Sequence, residues 1–321
     1  MLIAVSWSLI ERSDEPRYQG KRVSFWFKEY IQSRTWRVPA TGPSYQQGAE
    51  AMHRQSAAAL RHFGTNAVPY LIEQSFNTRQ VPAIRREIDF VLNSLPVSWG
   101  LPPFVDPGVM CEQAPEALKE IKPPAAMLLR LMSGQLESTN VLQRTQALYV
   151  LGTAGDGAEQ LVPYLVSALH RPAEAGFAVQ SLDWIGPQAS NGVSALVEAI
   201  NSTNNVDGAV HALGSIGSAA APAIPLIKGM FEKEAYWNRR NMFAAALCKI
   251  DASQTEALSF LMDGLTNHQP ASDRWIPAFH LGDIGANARA AAPALLQSLA
   301  LATNDSLFAF AATNALKKLA P

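Results

Sequence analysis

The sequence predicts an all-α solenoid of stacked antiparallel helix pairs, and three observations predict it. A short phrase recurs, reading Leu151-Gly152-Thr153-Ala154-Gly155, Leu213-Gly214-Ser215-Ile216-Gly217 and Leu281-Gly282-Asp283-Ile284-Gly285. Eight residues after the second glycine of each copy stands a proline, Pro163, Pro225 or Pro293. The anchor leucines 151, 182, 213, 247, 281 and 316 are 31, 31, 34, 34 and 35 residues apart, a period that belongs to helical-repeat arrays. Two copies are degenerate. Leu182-Asp183-Trp184-Ile185-Gly186 has Ser194 at the proline place, and Leu247-Cys248-Lys249-Ile250-Asp251 has Ser259 there.

Local chemistry turns each phrase into a helical hairpin. Apolar residues at three- and four-residue steps precede the anchor, as in Val141 to Leu151. Ala147, Ala178 and Ala209, four before their anchors, leave room for a neighbouring helix. The glycine four after the anchor suits a left-handed helix end, where a Cβ is unwelcome. The proline suits the first turn of the next helix, which needs no amide donor there. One hairpin is too small to bury its own apolar stripe, so neighbours must stack.

These residues resemble bacterial HEAT repeats, including the type first noted in phycobilin lyases. The shared pattern is Val/Leu-Arg-x-x-Ala-Ala-x-Ala-Leu-Gly-x-Ile-Gly followed by Pro-x-Leu. Arg144, Arg240 and Arg274 stand seven before their anchors as that pattern wants, while Ala175 and Val206 stand there in two other copies. The resemblance covers residues 136–321 well and 45–135 loosely. It implies a right-handed α-α superhelix, a HEAT-like solenoid, and says almost nothing of function.

The chain divides accordingly. Residues 1–20 are an apolar stub and a charged spacer, and 21–48 a capping helix and loop. Residues 49–135 hold degenerate repeats with a Pro-rich insertion at 96–114, and 136–321 hold regular repeats with a closing cap. The stub, Met1 to Ile10, is far short of the ~20 residues that span a bilayer. It reads as a docked helix end, as half of an export or anchor segment beginning upstream, or, least of all, as a signal peptide. Ser24 is placed to cap a short helix whose apolar face holds Phe25, Trp26, Tyr30 and Ile31. This stretch resembles a lead-in found before the repeats of envelope-associated HEAT proteins. Cytoplasm and cell envelope therefore both stay open as locations. Residues 35–48 read as a loop and 82–95 as a helix. In the insertion, Trp99, Phe104 and Met110 are expected to pack back on the stack. The last helix, Phe308 to Leu319, carries Lys317 and Lys318 in its final turn, where cations suit a helix C-terminus.

Composition narrows the function. Hydrophobic residues make up 48% of the 321, enough for a continuous core. Twenty-six Lys and Arg against 27 Asp and Glu argue against a broad nucleic-acid face, which needs a basic stripe. Cys111 and Cys248, 137 residues apart, read as small buried hydrophobes rather than a disulfide. The sequence carries no metalloprotease His-Glu-x-x-His, no serine nucleophile elbow and no P-loop. Gly152 to Gly157 follows a helix rather than a strand, so it reads as an inter-helix turn. Six histidines (53, 62, 170, 211, 268, 280) are scattered along the chain, with no pair at zinc-ligand spacing. His280 and Asp283, three apart, are expected to share a surface hydrogen bond.

The candidate partner-binding residues are Tyr236, Trp237, Arg239 and Arg240 at one helix start and Arg274 and Trp275 at the next. Trp184 is a possible extension of the same stripe. Aromatic rings beside arginines are enriched at protein interfaces; the competing reading is an arginine ladder with tryptophan stems packed between repeats. The expectation is a non-catalytic scaffold that binds an unidentified protein or peptide through its concave face, lined by second helices, or along an inter-repeat ridge. It requires no cofactor and no metal, no nucleic-acid partner, and membrane association only through a longer N-terminal segment. The alternatives are a bilin-lyase-like enzyme or subunit and a nucleic-acid-binding HEAT-like protein.

Overall fold

In the computed structural model, residues 15–35, 43–77, 105–202, 205–267, 273–301 and 305–320 are described. The expected helix at 82–95, the stub at 1–10, and Trp99 and Phe104 lie outside them. The chain forms two units, Met1–Asp156 and Gly157–Pro321.

In the first unit a two-residue hairpin, β1 (Arg17–Tyr18) and β2 (Lys21–Arg22), turns at Gln19 and Gly20, both at positive φ. It leads into α1 (Val23–Thr35). Val23, Trp26, Phe27, Tyr30 and Ile31 form its buried face, packed on α2 (Pro43–Phe63) and α4 (Pro107–Ile121). Ser24 is not the cap. It lies inside the helix, its amide donates to the Glu15 carboxylate at 3.0 Å, and the preceding acid does the capping. Nor does the loop extend to residue 48: α2 begins at Pro43, because proline is pre-set for a first helical turn. After Gly64, at φ +54, a 3-10 turn leads to α3 (Val68–Ser75), which pairs with α4.

The insertion expected at 96–114 is helical from Pro107. Asp106 caps α4 by accepting from the Gly108 amide at 2.8 Å, and Met110 packs inward as expected. Two prolines bracket the first half of this helix, at its start and at Pro115 within it, which is why the stretch reads as broken. Lys122, left-handed at φ 52, turns the chain toward α5 (Ala125–Leu136), which packs against α6 (Val141–Leu151).

The second unit is a regular stack. First helices α8 (Pro172–Ile185), α10 (Val206–Ile216), α12 (Trp237–Ile250), α14 (Trp275–Ile284) and α16 (Ser306–Leu319) lie against one another in sequence. Second helices α7 (Val162–Leu169), α9 (Val193–Ser202), α11 (Ile224–Lys233), α13 (Thr255–Gly264) and α15 (Ala292–Leu301) each pack on the first helix that follows. The tight antiparallel pairing thus joins a second helix to the next first helix. Three of the connectors between the two helices of a repeat are 3-10 segments seven residues long. Gly186, Gly217 and Gly285 open them at φ 63 to 77° with ψ between −129 and −141°. That is the mirror-image extended region, open to glycine alone, rather than the left-handed helical basin. Gly155 has another task. A Cβ there would stand 2.5 Å from the Lys122 carbonyl oxygen, and its amide donates to the Pro123 carbonyl. In the Leu247 repeat the 3-10 segment is missing. Asp251 instead ties a short turn by accepting from Ser253 and Gln254, so Ser259 falls in the middle of α13 and Glu256 takes the proline's place.

The anchors Leu151, Leu182, Leu213, Leu247 and Leu281 are all buried. Close approach of first helices rests on small residues: a Cβ on Gly282 would meet the Ala315 Cα at 2.9 Å, and one on Gly214 the Ala246 Cα at 3.1 Å. The stretch Val206–Lys233 is apolar and long enough in composition to cross a membrane, but Gly217 breaks it into α10 and α11.

Candidate functional site

The start of α12 collects four of the seven candidates. Tyr236 is 77% exposed. Trp237 lies partly buried over Gly264, whose missing Cβ leaves room for the indole and for Pro277 of α14. Arg239 reaches Asp207 of α10 at 2.6 Å and Glu234 at 3.2 Å, with its guanidinium 5.4 Å from the Phe243 ring centre. Arg240 turns the other way, between Phe231 of α11 and Phe260 of α13, 4.8 and 4.7 Å from their ring centres. Its Nε is buried with no hydrogen-bond acceptor. One repeat on, Arg274 lies 5.3 Å from the Phe308 ring centre and 3.9 Å from Asp305, both contributed by the next repeat, while Trp275 opens α14 half-buried. Arg240 and Arg274 therefore work as rivets between repeats. Trp184 stands at the far end of α8, twelve residues or ~18 Å along the axis from its start, and does not extend the stripe.

Beside Arg239 opens a cleft of about 440 Å³. Its floor is one face of α11, Pro225, Leu226, Gly229 and Met230, closed by Phe243 of α12, with Lys233, Glu234 and Arg239 on the rim. Glycine at 229 leaves the floor open, since nothing stands within 4 Å of where its Cβ would be. Met230 gives a soft, adaptable surface.

A second cluster went unforeseen. Asp183 of α8 and His211 of α10 meet at 2.8 Å, and Lys249 of α12 and Asp283 of α14 at 2.5 Å. His211, Lys249, His280 and Asp283 line one narrow crevice with Met242, Ala245 and Ala246. So Asp283 pairs with Lys249 across the stack rather than with His280 on its own helix. The hydrogen bond to Asp183 holds the imidazole of half-exposed His211 above its ordinary pKa, against its partial desolvation. Burial lifts the Asp183 carboxyl, but hydrogen bonds from His211 and Ser215 outweigh it and leave it below the carboxylate range. Burial pushes His280 down to about 4. The signal was in the sequence: His211 stands two before its anchor, Lys249 and Asp283 two after theirs. Those positions are four apart and share a helix face, so stacking sets them side by side.

In the first unit, Ser33 Oγ lies 3.2 Å from His53 Nδ1. It already donates to the Tyr30 carbonyl at 2.7 Å, so the imidazole N–H donates to it. A serine wired this way is a helix back-bond, not a nucleophile facing a base. Around it, Arg34 bridges the Tyr30 hydroxyl and Glu116, and Arg61 pairs with Glu120, tying α1, α2 and α4 together. Burial pushes the Tyr30 phenol up to about 12, so it stays a neutral donor, to the Glu116 carbonyl. Cys111 and Cys248 are both free; Cys248 is buried and Cys111 partly so, its thiol 2.9 Å from the Ser75 carbonyl.

Fold and surface together define an all-α helical-repeat protein. No protein-family model matches the chain, and neither does any curated protein. Among solved structures it is similar to an engineered protein crystallised by a structural genomics consortium, 18% identical, with a TM-score of 0.39, covering 92% of this chain and 78% of that one. A superposition that loose carries no argument, and the fold assignment rests on the helix pairs themselves.

Proposed function

We propose that this chain is a non-catalytic, HEAT-like scaffold that binds a protein partner by taking an extended peptide segment into the α11–α12 cleft. One observation carries the reading: Leu226 and Met230 on the second helix α11 form an apolar floor against the buried Phe243 of α12, and meet a rim of Lys233, Glu234 and Arg239, with exposed Tyr236 two residues from Glu234. An apolar pocket ringed by a few polar groups is the usual form of a recognition site. A protruding tyrosine beside an arginine is the usual composition of an interface centre. The apolar floor favours an apolar side chain, and Lys233 on the rim favours an acidic residue next to it, Arg239 being already paired with Asp207 and Glu234. Arg240 and Arg274 have no place in recognition here; they hold repeats together.

Selection from a displayed random-peptide library tests it. Enriched peptides are expected to pair an apolar residue with an acidic one and to lose at least tenfold in affinity on Met230→Glu or Tyr236→Ser. Absence of enrichment, or peptides that bind Met230→Glu as well as the parent, overturns the reading.

A further inference from the structure

The seam running from α8 to α14 has no part in the peptide cleft and gathers Asp183, His211, Lys249, His280 and Asp283 from four first helices. Its geometry couples four successive repeats: Asp183 to His211 between α8 and α10, Lys249 to Asp283 between α12 and α14. The groups that act on His211 are Asp183 from α8, Lys249 from α12 and Asp283 from α14, and His280 of α14 closes the same crevice. Ser215 and Gln180 hold the other lone pairs of Asp183, so its carboxylate is fixed in place to receive a charged imidazole.

We infer that this seam is a proton-operated clasp: a proton on His211 turns the α8–α10 hydrogen bond into an ion pair and tightens that joint, whereas a proton forced onto His280 loosens the α12–α14 side. Burial is the main force that keeps a proton off His280, with smaller repulsions from Lys249 and His211 added to it. The seam therefore takes its proton at His211 and keeps His280 neutral.

The two effects have opposite signs with pH. His211 is raised in the folded chain, so its contribution is complete below the ordinary imidazole pKa of 6.5 and is lost as pH rises through the folded value above that. His280 is lowered to about 4, so stability is lost as pH falls from 6.5 toward 4, where the unfolded chain takes up a proton that the fold refuses. The clasp is thus strongest in a narrow mildly acidic range near pH 6.5 and weakens on both sides.

Urea unfolding of the full chain at pH 4.5, 6.5 and 8.5 tests this with two variants. His211→Gln is expected to lower the midpoint at pH 6.5 and to have much less effect at pH 8.5. His280→Gln is expected to flatten the fall between pH 6.5 and 4.5 while leaving the fall above 6.5 intact. A His211→Gln deficit that is the same at all three pH values overturns the clasp. Should His211→Gln fail to fold, proton NMR titration of the imidazoles in Asp183→Asn decides. The His211 resonance is expected to move back toward the ordinary range, and an unchanged titration overturns the proposal.

Discussion

Arg240 shows how little a residue type settles at the scale of a single side chain. An arginine next to Trp237 and Arg239 reads as a binding residue, yet its guanidinium is clamped between Phe231 and Phe260. Cation–π contacts contribute about 0.5–2 kcal/mol, and the hydrocarbon stem adds packing. Arg240→Ala is expected to cost about 1–2 kcal/mol in urea unfolding. Arg240→Met fills the gap between the rings with a flexible apolar chain and is expected to recover more than half of that. Equal losses in both variants would mean that charge, not packing, carries the residue. Gly155 makes the complementary point. Its glycine is required not by a turn but by the Lys122 carbonyl 2.5 Å from a Cβ, so Gly155→Ala is expected to cost about 1–3 kcal/mol by forcing the backbone apart. An unchanged melting temperature would refute that.

At the scale of the helix, two glycines of the same outward type separate by what they touch. Gly282 in α14 meets the backbone of α16, and Gly134 in α5 meets nothing. Alanine in a helix gains about 1 kcal/mol over glycine; in α14 that gain is set against an overpacking cost of about 1–3 kcal/mol. Gly134→Ala is therefore expected to raise the urea midpoint and Gly282→Ala to lower or leave it. Stabilisation by both would show that first helices are not in backbone contact. Much at this scale was legible in the sequence. The capping helix face at Trp26 and Tyr30, the prolines at the second position of α7, α11 and α15, and the closing lysines of α16 all follow from local chemistry. The errors in where helices begin share one cause. Prolines were read as breaks, whereas Pro43 and Pro107 start helices and Pro115 lies inside one. Proline limits one backbone angle and one donor, and whether that ends a helix depends on which turn it occupies.

For the molecule as a whole, a stack in which neighbours do most of the packing predicts that damage stays local. Leu281 is fully buried, and Leu281→Ala is expected to cost about 2–5 kcal/mol. Amide hydrogen exchange should accelerate most in α12, α14 and α16, with α1 to α5 unchanged. Uniform acceleration along the chain would contradict a repeat-by-repeat fold. Of the candidate site, the sequence located the residues at the start of α12 but not the cleft beside them. That cleft depends on the bare face Gly229 leaves on α11 and on Phe243 reaching across from the next helix.

The period and most helices of the regular repeats could be read from the chain alone, because they depend on contacts within about four residues and on apolar spacing. Only the tertiary structure decided that each second helix packs on the first helix after it, that Arg240 rivets two repeats, and that His211 and His280, 69 residues apart in the chain, face one crevice. Register between stacked helices is a product of side-chain volumes at Gly214, Ala246, Gly282 and Ala315, and no single stretch of sequence carries it.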